Sequence, residues 1–345
     1  MHTNRTSRRL ILGHLAIIAG LFSAPAQAAP TPVSFTLDWI VQGTHAPFFV
    51  AEQSGAFARQ NLALHIDPGG GGTNVCVSVA GGAYQFGLVD MPTMIKFNAA
   101  NPANPLLAVY MLFDDSPLAI VSHKSAGIHT PADLNGKRIA GGPGITVHDT
   151  ISILFRAAHV TGIEPDWISV SPQLFGPMFK RNEVDGLGGF TNSQIPATLE
   201  MGYKMDELNV LKYSDFGANP YGLAIITTAR FAAEHPDTVR GFVAAVNEGV
   251  KQTVAEPAKA LAVLAARDPM MNGDIEKIRL NLALDLVDTP YVAAHGLSAV
   301  TPARLKETID SVVDAYALPI SPAPDSIYTD RFLPPAADRM PPARP

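Results

Sequence analysis

LALHIDPGGGGTNVCVSVAGG, residues 62–82, holds the pattern that decides the fold. Residues 62–66 read as a short strand. Gly69, Gly70, Gly71 and Gly72 then make a turn, Thr73 is placed to cap a helix running to about Ala80, and Gly81 and Gly82 stop it. Upstream, VSFTL at 33–37 alternates apolar and polar side chains, as a half-buried strand does, and Pro47 opens a helix reaching Arg59 whose apolar face is built from Phe48, Phe49, Val50 and Ala51. Downstream, YQFGLV at 84–89 reads as a third strand. Strand, helix, strand, glycine turn, helix, strand is an α/β order, with a mixed, mostly parallel sheet flanked by helices. In such sheets ligands sit beyond the carboxyl ends of the strands, near helix N-termini.

The same order returns further along. Residues 118–122 form a strand, TPADL at 130–134 opens a short helix, and the strand 138–140 runs into Gly141-Gly142-Pro143-Gly144. Thr146 is placed to cap a helix to about His159. A strand at 167–170, a helix at 172–181 and a short strand at 185–189 follow, leading into Phe190-Thr191-Asn192-Ser193 and another helix. After the apolar strand 222–227 the chain is mainly helical, with Val239, Phe242, Val243, Val246 and Val250 on one stripe of a helix over 236–254. The two apolar strands at 118–122 and 222–227 look alike, and both are read as crossings between two lobes. This places one discontinuous lobe at 29–118 plus 226–335 and an inserted lobe at 119–225, the layout of a hinged binding protein. The proline-rich residues 336–345 are expected to be a disordered tail.

The N-terminus sets the compartment. Arg5, Arg8 and Arg9 precede an apolar run over 10–22, and Ala26-Gln27-Ala28 supplies a small-x-small cleavage pattern. A signal peptide over 1–28, cleaved after Ala28, is expected to carry the chain to the periplasm by the general secretory route or, given Arg8-Arg9, the twin-arginine route. Its removal takes away three arginines and no acid, so the formal charge of −6 becomes −9. Such a balance argues against nucleic acid or an anionic membrane as partner. The remaining 317 of 345 residues exceed a typical single core. Cys76 is the only cysteine, which excludes an internal disulfide, and it reads as a small buried hydrophobe on a helix. The histidines show no H-x-x-x-H pair, no G-x-S-x-G elbow occurs, and the glycine run lacks the Gly-Lys-Ser/Thr ending of a phosphate loop. No metal or other cofactor is therefore expected.

Leu37-Asp38-Trp39-Ile40-Val41-Gln42-Gly43-Thr44-His45-Ala46-Pro47-Phe48-Phe49-Val50-Ala51 resembles a signature of solute-binding proteins of the NitT/TauT type, closest to the branch concerned with thiamine-pyrimidine precursors. The resemblance continues through Gly55, Phe57, Gly69-Gly70-Gly71, Phe86-Gly87-Leu88-Val89-Asp90 and the segment 130–137, TPADLNGK. It reaches Tyr328-Thr329-Asp330-Arg331-Phe332-Leu333 and so covers nearly all of the mature chain. Two departures fall where the cleft is expected: Val41-Gln42 replaces Pro-Asn, and Gly189-Phe190-Thr191-Asn192 replaces a Gly-Tyr or Gly-Trp segment. The resemblance implies a two-lobed periplasmic binding protein of type II with its ligand cleft between the lobes. It also implies a monomer that serves an ABC permease of the inner membrane.

Several residues are candidates for the cleft. Trp39, at a strand end, offers a rigid face for stacking on a flat solute, or is a plain core tryptophan. His45, just before a helix, either hydrogen-bonds the solute or packs at the helix start. Gly71, Thr73 and Thr146 lie at glycine turns whose backbone N–H groups can hold an acceptor, with the threonines capping in either case. Asp90 is set against a ligand amine or amidine-like edge, whereas Asp38 is read as capping or solvated charge. Phe113, Phe190, Asn192 and Tyr221 are further wall residues, Asn192 because an amide satisfies a ring donor and acceptor together. These choices favour capture of a small heteroaromatic solute resembling an aminopyrimidine, without covalent chemistry. Nitrate, a sulfonate such as taurine, or an aromatic acid is the alternative. A reading of another class is an enzyme that makes the thiamine pyrimidine with a pyridoxal cofactor and its own histidine. The single cysteine and the export signal argue against the iron-binding, cysteine-rich form of that enzyme.

Overall fold

Ten strands among the described residues form two five-stranded sheets of the same design. The protein is described here by a computed structural model covering residues 1–2 and 29–345, so residues 3–28 of the expected signal peptide lie outside the described residues. The first sheet has the order β2-β1-β3-β10-β4, from β1 (Thr31–Thr36), β2 (Leu62–Asp67), β3 (Phe86–Asp90), β4 (Leu106–Met111) and β10 (Leu223–Thr228). The second has the order β7-β6-β8-β5-β9, from β5 (Leu118–His123), β6 (Arg138–Ala140), β7 (Asp166–Ile168), β8 (Gly186–Phe190) and β9 (Leu208–Lys212). β1 pairs parallel with β2 and β3, and β10 runs antiparallel between β3 and β4. β6 likewise pairs parallel with β7 and β8, and β5 runs antiparallel between β8 and β9. One strand in each sheet therefore opposes the other four, and each opposing strand adjoins a passage of the chain from one sheet to the other. The passages are residues 112–117 and 213–222. The apolar strands β5 and β10 are thus not the crossings that the sequence suggests. Each belongs wholly to one sheet, and a boundary at 225/226 would cut β10.

Helices cover the sheets. In the first lobe α1 (Ala46–Gln53) and α2 (Ala56–Arg59) replace the single helix expected up to Arg59, because Gly55 takes φ +73° between them. α3 (Gly72–Ala80) and α4 (Met91–Ala100) follow. The second lobe carries α5 (Thr146–Ala157), α6 (Pro172–Lys180) and α7 (Thr191–Glu200). Then come α8 (Ala229–Glu234), α9 (Pro236–Ala255), α10 (Pro257–Arg267), α11 (Gly273–Val287), α12 (Pro290–His295), α13 (Pro302–Tyr316), α14 (Pro324–Ile327) and α15 (Ala336–Arg339). The valine-and-phenylalanine stripe of α9 buries its apolar face on the first sheet, where Phe242 stacks on Phe86 at 3.9 Å between ring centroids and meets Phe35 edge-on. Phe175, Phe179, Leu187, Ile195 and Leu208 form a separate apolar cluster in the second lobe.

The tail expected to be disordered is instead packed. α15 lies within it, Arg339 O accepts from Leu297 N at 2.8 Å, Asp338 O accepts from Lys251 Nζ at 2.7 Å, and Arg344 pairs with Asp285 at 2.7 Å. Prolines only preset the backbone. Here its carbonyls find donors in α9 and at Leu297 after α12, so the segment is packed against the first lobe. No helix among the described residues is long and apolar enough to cross a membrane.

Candidate ligand-binding cleft

The carboxyl end of β1 runs into Asp38 and Trp39, and the glycine turn before α3 is stitched to it. Gly69 N donates to Trp39 O at 2.9 Å, and Gly71 N donates to Asp38 O at 3.0 Å. Facing this edge are the start of α5 with Ile145, Thr146 and Val147, the end of β8 with Gly188, Gly189 and Phe190, and Ser193 and Gln194 in the first turn of α7. Together they enclose about 30 Å³ between the lobes. Trp39 spans the gap, its ring 6.0 Å from that of Phe175 in the second lobe. The walls are mostly apolar. The polar groups are Asp38, Thr146, Ser193 and Gln194, and no lysine or arginine lines the space.

Asp38, discounted in the sequence as capping or solvated charge, is a cleft residue and is buried. His45 stands behind it rather than in the cleft. The imidazole is fully buried, its Nδ1 accepts from Gln42 N at 3.2 Å, and its Nε2 lies 2.9 Å from Asp38 Oδ1. With Nδ1 an acceptor, the ring proton sits on Nε2 and is donated to Asp38. His45 thereby fixes one carboxylate oxygen and leaves the other free of the histidine.

The threonines do not cap. The N-cap positions are Gly71 for α3 and Ile145 for α5, so Thr73 and Thr146 lie inside the first turns, and each reaches across to the other lobe. Thr146 Oγ1 donates to Asp90 Oδ2 at 3.0 Å, and Thr73 Oγ1 donates to Asp149 Oδ2 at 2.6 Å. Thr146 lines the cleft and Thr73 does not. Asp90 lies behind Thr146, 1% exposed, and caps α4 by accepting from Thr93 N at 2.9 Å. Burial pushes its pKa up from 3.8 to about 6, against the lowering effect of those hydrogen bonds.

Gly71 takes φ +115°, and a Cβ there would stand 2.4 Å from Gly144 O of the second lobe, so only glycine lets the lobes meet at this point. Phe190 and Trp39 line the cleft. Asn192 does not: its Nδ2 donates to Thr44 Oγ1 at 2.8 Å across the lobes, and its buried Oδ1 has no protein partner. The amide that does line the cleft is Gln194, seated on Gly189, where a Cβ would come within 2.4 Å of Gln194 Nε2. Phe113 and Tyr221 lie in the two passages between sheets and are buried away from the cleft. Phe113 N donates to Leu223 O at 3.0 Å, and the Tyr221 hydroxyl accepts from Thr301 N at 3.0 Å beneath the Arg304 guanidinium. Both are aromatic residues beside a lobe boundary in sequence, but their rings complete the hinge core. Among the described residues no group of three or more metal-ligating side chains converges.

A family model described as NMT1/THI5 like matches residues 42–260. The 4-amino-5-hydroxymethyl-2-methylpyrimidine phosphate synthase of Legionella pneumophila is 24% identical, over 69% of this chain and 74% of its own. The formylaminopyrimidine-binding protein of Halalkalibacterium halodurans is also 24% identical, over 79% of this chain and 85% of its own. Among solved structures, the alkanesulfonate-binding protein of Xanthomonas axonopodis pv. citri bound to MOPS superposes with a TM-score of 0.67 at 16% identity, covering 88% of this chain and all (100%) of its own. The periplasmic aliphatic sulphonate binding protein of Escherichia coli gives 0.62 at 16% identity, covering 90% and 92%. These likenesses establish the two-lobed α/β fold of periplasmic binding proteins.

Proposed function

The chain belongs to the NMT1/THI5-like family, and from that premise we propose that it is a periplasmic solute-binding protein of an ABC importer that captures an aminopyrimidine. The observation that carries the reading is the lining of the cleft. Trp39 and Phe190 offer flat apolar walls, Asp38 offers a carboxylate acceptor, Gln194 offers an amide donor and acceptor, and no cationic side chain joins them. A ring nitrogen beside an exocyclic amino group presents an acceptor next to donors, which an amide and a carboxylate satisfy together. A sulfonate or nitrate would bring a negative charge beside Asp38 with only neutral donors, and no cationic side chain, to offset it. The names of the two pyrimidine relatives support the same ligand class, and the sulfonate-binding structures share the fold alone.

A pyridoxal-dependent synthase is the competing reading, favoured by the name of the Legionella relative. The residues here do not fit that group. No lysine lines the cleft, and Lys96 of α4, which reaches the second lobe, has its ammonium on Asp149 O at 2.9 Å and over the Tyr316 ring. Thermal unfolding of the purified protein with formylaminopyrimidine, 4-amino-5-hydroxymethyl-2-methylpyrimidine, taurine, an alkanesulfonate and nitrate tests the proposal. A solute at 100 times its dissociation constant adds about 2.7 kcal/mol of stability. The expected result is a rise with a pyrimidine that Trp39→Ala abolishes. A rise with sulfonate or nitrate only would overturn the ligand, and a violet-absorbing adduct with pyridoxal phosphate would overturn the binding reading.

A further inference from the structure

α11 lies between the lobes, packed on α7 of the second and on the Gly43–His45 turn and α10 of the first. Arg279 on α11 is 8% exposed. Its Nη1 donates to Gln42 Oε1 at 3.0 Å in the first lobe and to Ser193 O at 2.8 Å in the second, and its Nε donates to Glu276 Oε1 at 3.1 Å. Two further bonds complete the cluster. Gln42 Nε2 donates to Ser193 Oγ at 2.6 Å, and the other oxygen of Glu276 accepts from Gly43 N. Ser193 is a wall of the cleft, and Gln42 also fixes His45 and through it Asp38.

We propose that Arg279 is a positioning residue that clasps the two lobes shut and sets the cleft wall in its binding geometry. A guanidinium is always charged and presents its donors in a rigid plane, so all three partners are held only when both lobes are in place. Whichever lobe α11 follows on opening, either the Gln42 bond or the Ser193 bond must break. The clasp therefore acts on the fraction of closed protein, and apparent affinity scales with the competent fraction. The inference rests on the binding-protein reading for its solute but not for the lobe closure.

Small-angle scattering and calorimetric titration of the whole protein test it. Arg279→Ala is compared with Glu276→Gln/Arg279→Met, which removes the charge pair together and keeps a side chain in place of each, and with the exposed control Arg240→Ala. Circular dichroism melts confirm that each is folded. The expected result is a larger radius of gyration without solute for both clasp variants, and apparent affinity for formylaminopyrimidine about tenfold weaker or more. Saturating solute should return the radius to the wild-type value, which a mere packing defect would not do. Scattering curves of the clasp variants that coincide with the wild type's, without and with the pyrimidine, would overturn the proposal. If no pyrimidine binds, the ligand reading fails and the solute-free curves still decide the clasp.

Discussion

Replacing Asp90 by Asn should stabilise the protein near neutral pH and flatten the dependence of its stability on pH. Asp90 is 1% exposed, with Thr93 N on one carboxylate oxygen and the Thr146 hydroxyl on the other. Burial raises its pKa from 3.8 to about 6, so the folded protein holds this proton more tightly than the unfolded chain. The stability from protonated Asp90 is fully present below about pH 3.8 and is lost as pH rises through about 6. The full span is roughly 3 kcal/mol, of which about 1.5 kcal/mol falls between pH 5 and pH 8. Asn keeps an oxygen for Thr93 N and offers an amide to Thr146, and it cannot ionise. Denaturant unfolding of both proteins at pH 5 and pH 8 should therefore show the Asn variant gaining about 1.5 kcal/mol over the wild type on going to the higher pH. Burial also raises the pKa values of Asp114 and Glu276, but those groups titrate alike in both proteins and cancel in the difference. A gap between the two proteins that is the same at both pH values would refute the reasoning.

Two glycines give further tests. Gly189→Ala should push Gln194 off its seat and weaken pyrimidine binding about tenfold or more, with a stability loss of about 1–3 kcal/mol, as read by titration calorimetry and melts. Unchanged affinity would remove Gln194 from recognition. Gly71→Ala should wedge the lobes apart at Gly144 and strain a backbone at φ +115°, costing about 1–3 kcal/mol and enlarging the scattering radius. An unaltered radius would mean that the two turns do not meet as described.

The α/β order was legible because strands such as β1 and β2 have one face less buried than the other and therefore alternate, and because glycine turns mark the helix starts. β4 was passed over: LLAVYM is buried along its whole length, as β10 is, and an apolar run without alternation does not by itself tell a buried strand from a buried helix. Trp39, Gly71, Thr146 and Phe190, chosen as candidates from the sequence, line the cleft. Asn192 was singled out for its amide and Gln194 was passed over, since sequence does not say which side chain of a helix turn faces inward. Asp38 was read as capping or solvated charge, and the sequence does not show that His45, seven residues on, turns back to its carboxylate. Arg279 could not be read at all, since its bonds join positions 237 and 86 residues distant in the chain.

The space of about 30 Å³ between the lobes also bears on kinetics. One water needs about 10–15 Å³ of such space, so the gap has room for about two waters, and an aromatic ring needs several times more. Any ring-sized solute must therefore wait for the lobes to part before it can reach Trp39. At low concentration the observed association rate rises with solute, but at high concentration it levels off at the opening rate, a domain motion on the microsecond-to-millisecond scale. Release is subject to the same gate. Departure of the solute is then timed by whatever next opens the lobes, and not by the strength of its contacts alone.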